Sequence, residues 1–218
     1  MASVERFADR RDAGRRLGRE LKSRAPDRPV VLGLPRGGVP VADEIARALD
    51  APLDVLVVRK LGVPWQPEVA MGAVGEQQAV IWNDDVRRTS RIPDHELRAL
   101  ERRERSEVEA RVTRFRGGHP PIELTGRTAV VVDDGVATGA TARVACTMAR
   151  QLGADRVVLA IPVAAPDVVA DFPEADEVVV LSTPRSFMSV GMHYRDFTQT
   201  SDEEVVSILR AGRGDDRH

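Results

Sequence analysis

The chain has 218 residues, 42% hydrophobic and 30% charged, enough for one sizeable core and unlike a disordered or fibrous composition. Its 32 basic and 34 acidic side chains leave a formal net charge of −2, so it lacks the broad positive field that holds a nucleic-acid backbone. The single cysteine, Cys146, excludes a disulfide framework and suits the cytoplasm, and no run approaches the ~20 apolar residues of a membrane span, so neither a nucleic-acid nor a membrane partner is expected.

Residues 1–18 carry charges where a signal peptide needs an apolar run. Val4, Phe7, Leu17 and Leu21, sparse among arginines, predict an amphipathic helix over 4–21 that packs by a narrow stripe. Val30, Val31, Leu32 and Leu34 read as a strand buried on both faces. The bend Pro35-Arg36-Gly37-Gly38 follows, then a helix with Pro40 in its first turn and Val41, Ile45 and Leu49 on one face. Residues 53–58 repeat the buried-strand signature and end in Arg59-Lys60, after which Gly62, Pro64 and Pro67 are expected to break regular structure. Residues 70–74 and 79–82 form a predicted hairpin. A charged helix is predicted over 94–115, with Glu101/Arg105 and Glu107/Arg111 spaced to pair across one turn.

After the turn at Thr125-Gly126, residues 128–132 read as a central strand ending in Asp133-Asp134. A helix over 141–152 with Gly153 as its cap, a strand over 156–162 and a last strand over 177–181 complete the pattern. An irregular segment, 186–197, precedes a short helix over 202–209, and residues 212–218 are expected to fray. Strands alternating with helices predict an α/β fold, a mostly parallel sheet flanked by helices, with ligands beyond the carboxyl ends of the strands. No repeat or low-complexity linker divides the chain, so residues 1–218 are read as a single domain.

The chemistry concentrates in VVVDDGVATGAT, residues 130–141. Two adjacent carboxylates end a buried strand, and a short loop with Gly135 and Gly139 runs into a helix. The glycines let successive amides turn toward one anion while the helix N-terminus adds its positive end. Thr138 and Thr141 offer hydroxyl donors, and Asp133 and Asp134 can accept from vicinal hydroxyls such as those of a ribose. The Walker and dinucleotide glycine patterns are both absent.

This segment resembles the 5-phosphoribosyl-1-pyrophosphate (PRPP) motif of type I phosphoribosyltransferases, and the resemblance covers residues 30–181. It implies that fold, with a core over 28–181, a lid-like hairpin and helix excursion over 61–121, and a small C-terminal hood over 182–212 joined by the N-terminal helix. It implies that Asp133 and Asp134 hold the ribose hydroxyls, and that Gly135, Val136, Ala137, Thr138, Gly139, Ala140 and Thr141 hold the 5-phosphate. Arg36, Gly37 and Gly38 match the pyrophosphate loop, and Arg36, Arg59 and Lys60 would neutralise pyrophosphate. Catalysis is thereby expected of Asp133, Asp134, Arg59 and Lys60. Mg2+ is the implied cofactor, bound through PRPP with no direct protein ligand.

The implied reaction transfers the 5-phosphoribosyl group to a nitrogen of a nucleobase or similar heterocycle and releases pyrophosphate. Ala137 stands where several purine-specific members carry an acid, which leaves the acceptor and its proton acceptor unassigned. Phe187 and Tyr194, with Phe197, are candidates to stack on a base, and His193 is a weaker candidate for proton transfer. Trp65 and Trp82 bracket the excursion, which serves either as a lid or as a contact in a homodimer, an assembly common among such proteins. Two other readings compete: a non-catalytic PRPP or nucleotide sensor with the same fold, and a hydrolase using Asp133, which lacks the further ligands and acid such a site needs.

Overall fold

Short runs of Val, Ile and Leu supply the strands of the computed structural model, which describes residues 6–213, apart from the side chains of Pro67, Glu68 and Asp84. Val4 of the expected first helix and residues 214–218 of the expected tail lie outside the described residues. In chain order, α1 (Arg10–Arg24), β1 (Pro29–Gly33), α2 (Gly38–Leu49) and β2 (Leu53–Val55) come first. The excursion follows as β3 (Val58–Val63), β4 (Gln66–Gly75), β5 (Val80–Trp82), α3 (Asp84–Ser90) and α4 (Asp94–Arg116). The chain then returns through β6 (Thr128–Val132), α5 (Ala140–Gln151), β7 (Arg156–Val163), α6 (Pro166–Ala170) and β8 (Glu177–Ser182). A 3-10 turn (Val190–His193) and α7 (Asp202–Arg213) end it.

Five strands form one sheet in the order β2-β1-β6-β7-β8, every pairing parallel. Side chains alternate across it: Val31, Val130 and Val132 pack with Leu17, Leu21 and Ile45 of α1 and α2, while Val30, Ala129 and Val131 pack with Ala145, Cys146 and Met148 of α5. Both faces are therefore dry, which is why these strands read as continuous apolar runs. The register aligns Gly33 with Val132, so β1 and β6 end level, and Leu34 N–H donates to Val132 O at 2.8 Å. That alignment sets the loop after β1 directly beside Asp133-Asp134.

The expected strand over 53–58 divides in two. β2 stops at Val55; Leu56 N–H still donates to Gly33 O at 3.1 Å, but Val57 N–H donates to the Glu76 carboxylate at 3.0 Å as the chain leaves the sheet. The next residues form an antiparallel sheet, β3-β4-β5. Pro64 breaks the strand as expected, making the tight turn into β4 with Trp65, but Gly62 sits at a register irregularity within β3 and Pro67 lies within β4. The hairpin expected over 70–74 and 79–82 is present as β4 and β5.

Two short helices escape periodicity: α3, where Asn83 Oδ1 accepts from Val86 N–H at 3.1 Å, and α6, which opens on Pro166. Helix α7 runs to Arg213, beyond the expected end and into residues expected to fray. Tertiary bonds hold it there, since Arg213 donates to Arg116 O at 3.1 Å and to Asp54 at 3.3 Å. The Glu101/Arg105 pair forms at 2.6 Å.

Candidate active site

The central strand β6 delivers Asp133 and Asp134 to the carboxyl edge of the sheet. Asp134 N–H donates to Asp133 Oδ1 at 2.9 Å, which folds the first carboxylate back over the turn. Asp134 Oδ2 accepts from Arg10 Nε at 2.8 Å, and the Asp134 carbonyl accepts from Tyr194 Oη at 2.5 Å. The loop after β1 presses on this turn: a Cβ on Gly37 would lie 2.0 Å from Asp134 Oδ2, so only glycine lets the two segments approach this closely. Within that loop the Pro35–Arg36 peptide is cis.

Two carboxylates here share one arginine. Burial, then the charge of Asp134, push the Asp133 carboxyl up to about 8, against the pull of the Asp134 amide and Arg10. Burial also raises Asp134, opposed by its bond to Arg10. A cation or a set of hydroxyl donors at such carboxyls favours their ionised forms.

Beyond the diacid turn, Val136 is tied into the sheet edge, donating to Val163 O at 2.9 Å and accepting from Ala165 N–H at 3.0 Å. Ala137, Thr138, Ala140 and Thr141 lie along the loop and the first turn of α5, with Ala137, Thr138 and Thr141 exposed. Gly139 takes φ +79° as the N-cap of α5, a left-handed conformation suited to glycine, and brings no side chain to cap the helix. Arg143 N–H, bonded to Gly139 O at 2.8 Å, begins the helical ladder, so the amides before it point out of the helix end. Together with the helix dipole they suit an anion.

The basic residues are less converged than the acidic ones. Arg36 lies 3.6 Å from Asp202 of α7, a loose pair on a partly exposed side chain. Arg59, paired in register with Val74 on the small sheet, donates to Glu104 of α4 at 2.8 Å, and Lys60 lies opposite Ala73. Both line a cleft of about 680 Å³ between the hairpin and α4.

In the segment after β8, Tyr194 is 3% exposed, its ring between Phe7 at 5.4 Å and Phe197 at 5.0 Å. Both faces are covered, so in this arrangement Tyr194 braces the diacid turn and offers no face to a base. Burial keeps its hydroxyl above the usual phenol range, and it remains a donor. Phe187 is half-buried and stacks on His193 at 5.5 Å. His193 is buried with Nε2 unpaired, and burial favours its neutral form.

Sequence reasoning missed Arg10. It is one of many arginines in the N-terminal segment, and only the fold distinguishes it, through Asp134, the Thr198 carbonyl at 2.7 Å and the Phe197 ring at 3.9 Å.

A parallel sheet carrying a diacid turn, an open helix N-terminus and a glycine loop at one edge defines the type I phosphoribosyltransferase fold, and the family model described as "Phosphoribosyl transferase domain" matches residues 11–195. The chain belongs to that family. Two Mycobacterium tuberculosis proteins, from strains CDC 1551 / Oshkosh and H37Rv, are each 57% identical over 204 residues, 93% of this chain. They are named "Putative phosphoribosyl transferase MT0597" and "Putative phosphoribosyl transferase Rv0571c", and this chain spans 46% of their length. The crystal structure of TT1426 from Thermus thermophilus superposes with TM-score 0.84 at 45% identity, covering 94% of this chain and 97% of that one. A hypothetical protein from Neisseria gonorrhoeae, solved with bound ppGpp, shares the fold at TM-score 0.53 and 14% identity, covering 95% of each chain. No helix of the described residues is long and apolar enough to cross a membrane.

Proposed function

We propose that this chain binds PRPP with Mg2+ and transfers its 5-phosphoribosyl group to a nitrogen of a nucleobase or similar small heterocycle, releasing pyrophosphate in the cytoplasm. The observation that carries this reading is the level ending of β1 and β6, which sets the Gly37-Gly38 loop against the diacid turn and the uncapped end of α5. In this reading Asp133 and Asp134 accept the two ribose hydroxyls. The amides and hydroxyls of residues 135–141 take the 5-phosphate, and the loop bearing Arg36 takes the pyrophosphate.

The anomeric C–O bond breaks with its electron pair leaving on pyrophosphate, and a C–N bond forms to the acceptor. Positive charge developing on the ribose is favoured by the adjacent carboxylates, and charge on the leaving group by Arg36, Arg59 and Lys60. Arg36, loosely paired with Asp202, is more readily recruited than Arg59, which Glu104 holds. The acceptor's proton goes to solvent, or the acceptor enters as an anion, since Ala137 offers no base.

Among the described residues no group of three or more His, Cys, Asp or Glu side chains is placed to hold a metal ion. A pair of carboxylates beside a phosphate cradle suits Mg2+ brought by the substrate's own oxygens, where it would neutralise the leaving group. The engagement of Arg59 by Glu104, together with Ala137, favours the sensor as second reading. Calorimetric titration with PRPP and Mg2+, parent against Asp133→Asn/Asp134→Asn, followed by a pyrophosphate-release screen over purines and pyrimidines, tests both. Binding lost in the folded variant and release with one acceptor support the enzyme. Binding without release supports the sensor, and no PRPP binding removes the proposal.

A further inference from the structure

Arg10 lies one residue before the family match at 11–195, yet its side chain bonds the Asp134 carboxylate of the diacid turn. Its guanidinium is held from three directions. Nε donates to Asp134 Oδ2 at 2.8 Å, one terminal nitrogen donates to the Thr198 carbonyl at 2.7 Å, and the central carbon sits 3.9 Å from the centre of the Phe197 ring. Both members of the ion pair are largely enclosed, with the Arg10 and Asp134 side chains 11% and 15% exposed. Of the two carboxylate oxygens of Asp134, Arg10 bonds Oδ2.

The surrounding chain is built to deliver this side chain. Residues 7 and 8 pair with the hood: Phe7 N–H donates to His193 O at 2.9 Å, Arg195 N–H to Phe7 O at 2.8 Å and Asp196 N–H to Ala8 O at 2.9 Å. Asp9 then caps α1, accepting from Asp12 N–H at 2.7 Å, and Arg10 is the first residue of the helix. An arginine in the first turn stands at the positive end of the helix dipole, an unfavourable place for a cation. Its bonds to Asp134 and Thr198 offset that cost.

We propose that Arg10 is a positioning residue, which fixes the Asp134 carboxylate from outside the family motif so that its second oxygen faces a ribose hydroxyl. The inference rests on the PRPP-binding reading above. Lysine is not equivalent, because one ammonium cannot reproduce a planar fork that meets a carboxylate, a carbonyl and an aromatic face at once.

The test is a double-mutant cycle on PRPP affinity with Mg2+, read by calorimetry on parent, Arg10→Met, Asp134→Asn and the double variant, with melting temperatures taken alongside. Positioning through Asp134 predicts that Arg10→Met weakens PRPP binding by about tenfold or more. It also predicts that the same change costs less than about twofold once Asp134 is Asn. Arg10→Lys restores part of the loss, and Phe197→Ala, which leaves the charge but removes the ring beneath it, gives a smaller loss that also vanishes in the Asp134→Asn background. Should Arg10→Met fail to fold, the Phe197→Ala cycle alone decides. Equal PRPP affinity in parent and Arg10→Met, or losses that add in the double variant, overturn the role of Arg10 while leaving the PRPP site standing. A parent protein that binds no PRPP overturns both.

Discussion

Two clusters of arginine and carboxylate lie in this molecule and are put to opposite ends. At the root of α4, Arg116 bonds both Asp54, at 2.9 Å, and Glu76, with Arg213 adding a second cation at 3.3 Å from Asp54. The side chains of Arg116, Asp54 and Glu76 are at most 4% exposed, and backbone donors from Val55, Val57 and Ile122 fill remaining acceptor positions. Two anions meet two cations beside a cavity of about 310 Å³, burial raises the Glu76 carboxyl against the pull of Arg116, and the cluster joins the excursion to the core sheet. At the edge of β6, by contrast, two carboxylates meet one arginine, and Asp133 is left with a carboxyl raised to about 8. A balanced cluster holds structure; one short of a cation can take up a proton or a further cation.

Substitution should separate the two. Asp133→Asn/Asp134→Asn removes two charged acceptors, each worth about 1.5–3 kcal/mol, so PRPP affinity is expected to fall by roughly 10²- to 10⁴-fold in a calorimetric titration. The ligand-free melting temperature should fall much less, because the asparagine amide oxygen still accepts from Arg10. Arg116→Met reverses the pattern. Leaving Asp54 and Glu76 buried together is expected to cost about 3–5 kcal/mol in denaturant unfolding, while PRPP affinity of the folded fraction stays near the parent's. Equal effects of both changes on binding and on stability would erase the distinction.

Acid-base behaviour sharpens the contrast. A carboxyl raised to about 8 in the folded chain holds its proton more tightly there than in the unfolded chain, where it titrates near about 4. Ligand-free stability therefore falls as pH rises through that window, opposite in sign to an ordinary ion-paired carboxylate, and Asp133→Asn should remove that part of the slope. Ribose hydroxyls bond an ionised acceptor more strongly than a protonated one, so PRPP binding near neutral pH should release a proton, measurable as a dependence of the binding heat on buffer ionisation enthalpy. Binding with no proton release in the parent would contradict the uncompensated character given to this cluster. The smallest expected effect is at Phe187, half-buried against His193. Phe187→Ala should raise acceptor KM by about 2- to 12-fold with PRPP affinity unchanged, the worth of one aromatic contact.

Much of this was legible in the chain. Unbroken apolar runs of four or five residues identified the buried parallel strands, because a strand covered on both faces has no polar side to show. The diacid, the glycines and the helix start were legible too, since all come from one contiguous segment, 130–141. The chain's departure from the sheet after Val55 was not. A buried Glu76 from 19 residues onward takes the Val57 amide, and periodicity carries no information about a partner so distant. Tyr194 read as a base platform because an aromatic in an irregular segment looks available; packing between Phe7 and Phe197 turned it into a brace for Asp134.

What the sequence determined by itself was local: which segments are strands and helices, and where two carboxylates meet a glycine loop and a helix start. These depend on side-chain type and near neighbours, within reach of a few residues of chain. Only the tertiary structure decided which charges meet. Arg10 stands 124 residues from Asp134 and Arg116 stands 62 from Asp54, so their pairings, and with them the difference between an uncompensated pair of carboxyls and a balanced joint, arise only when the sheet aligns its strands and the terminal segment closes over it.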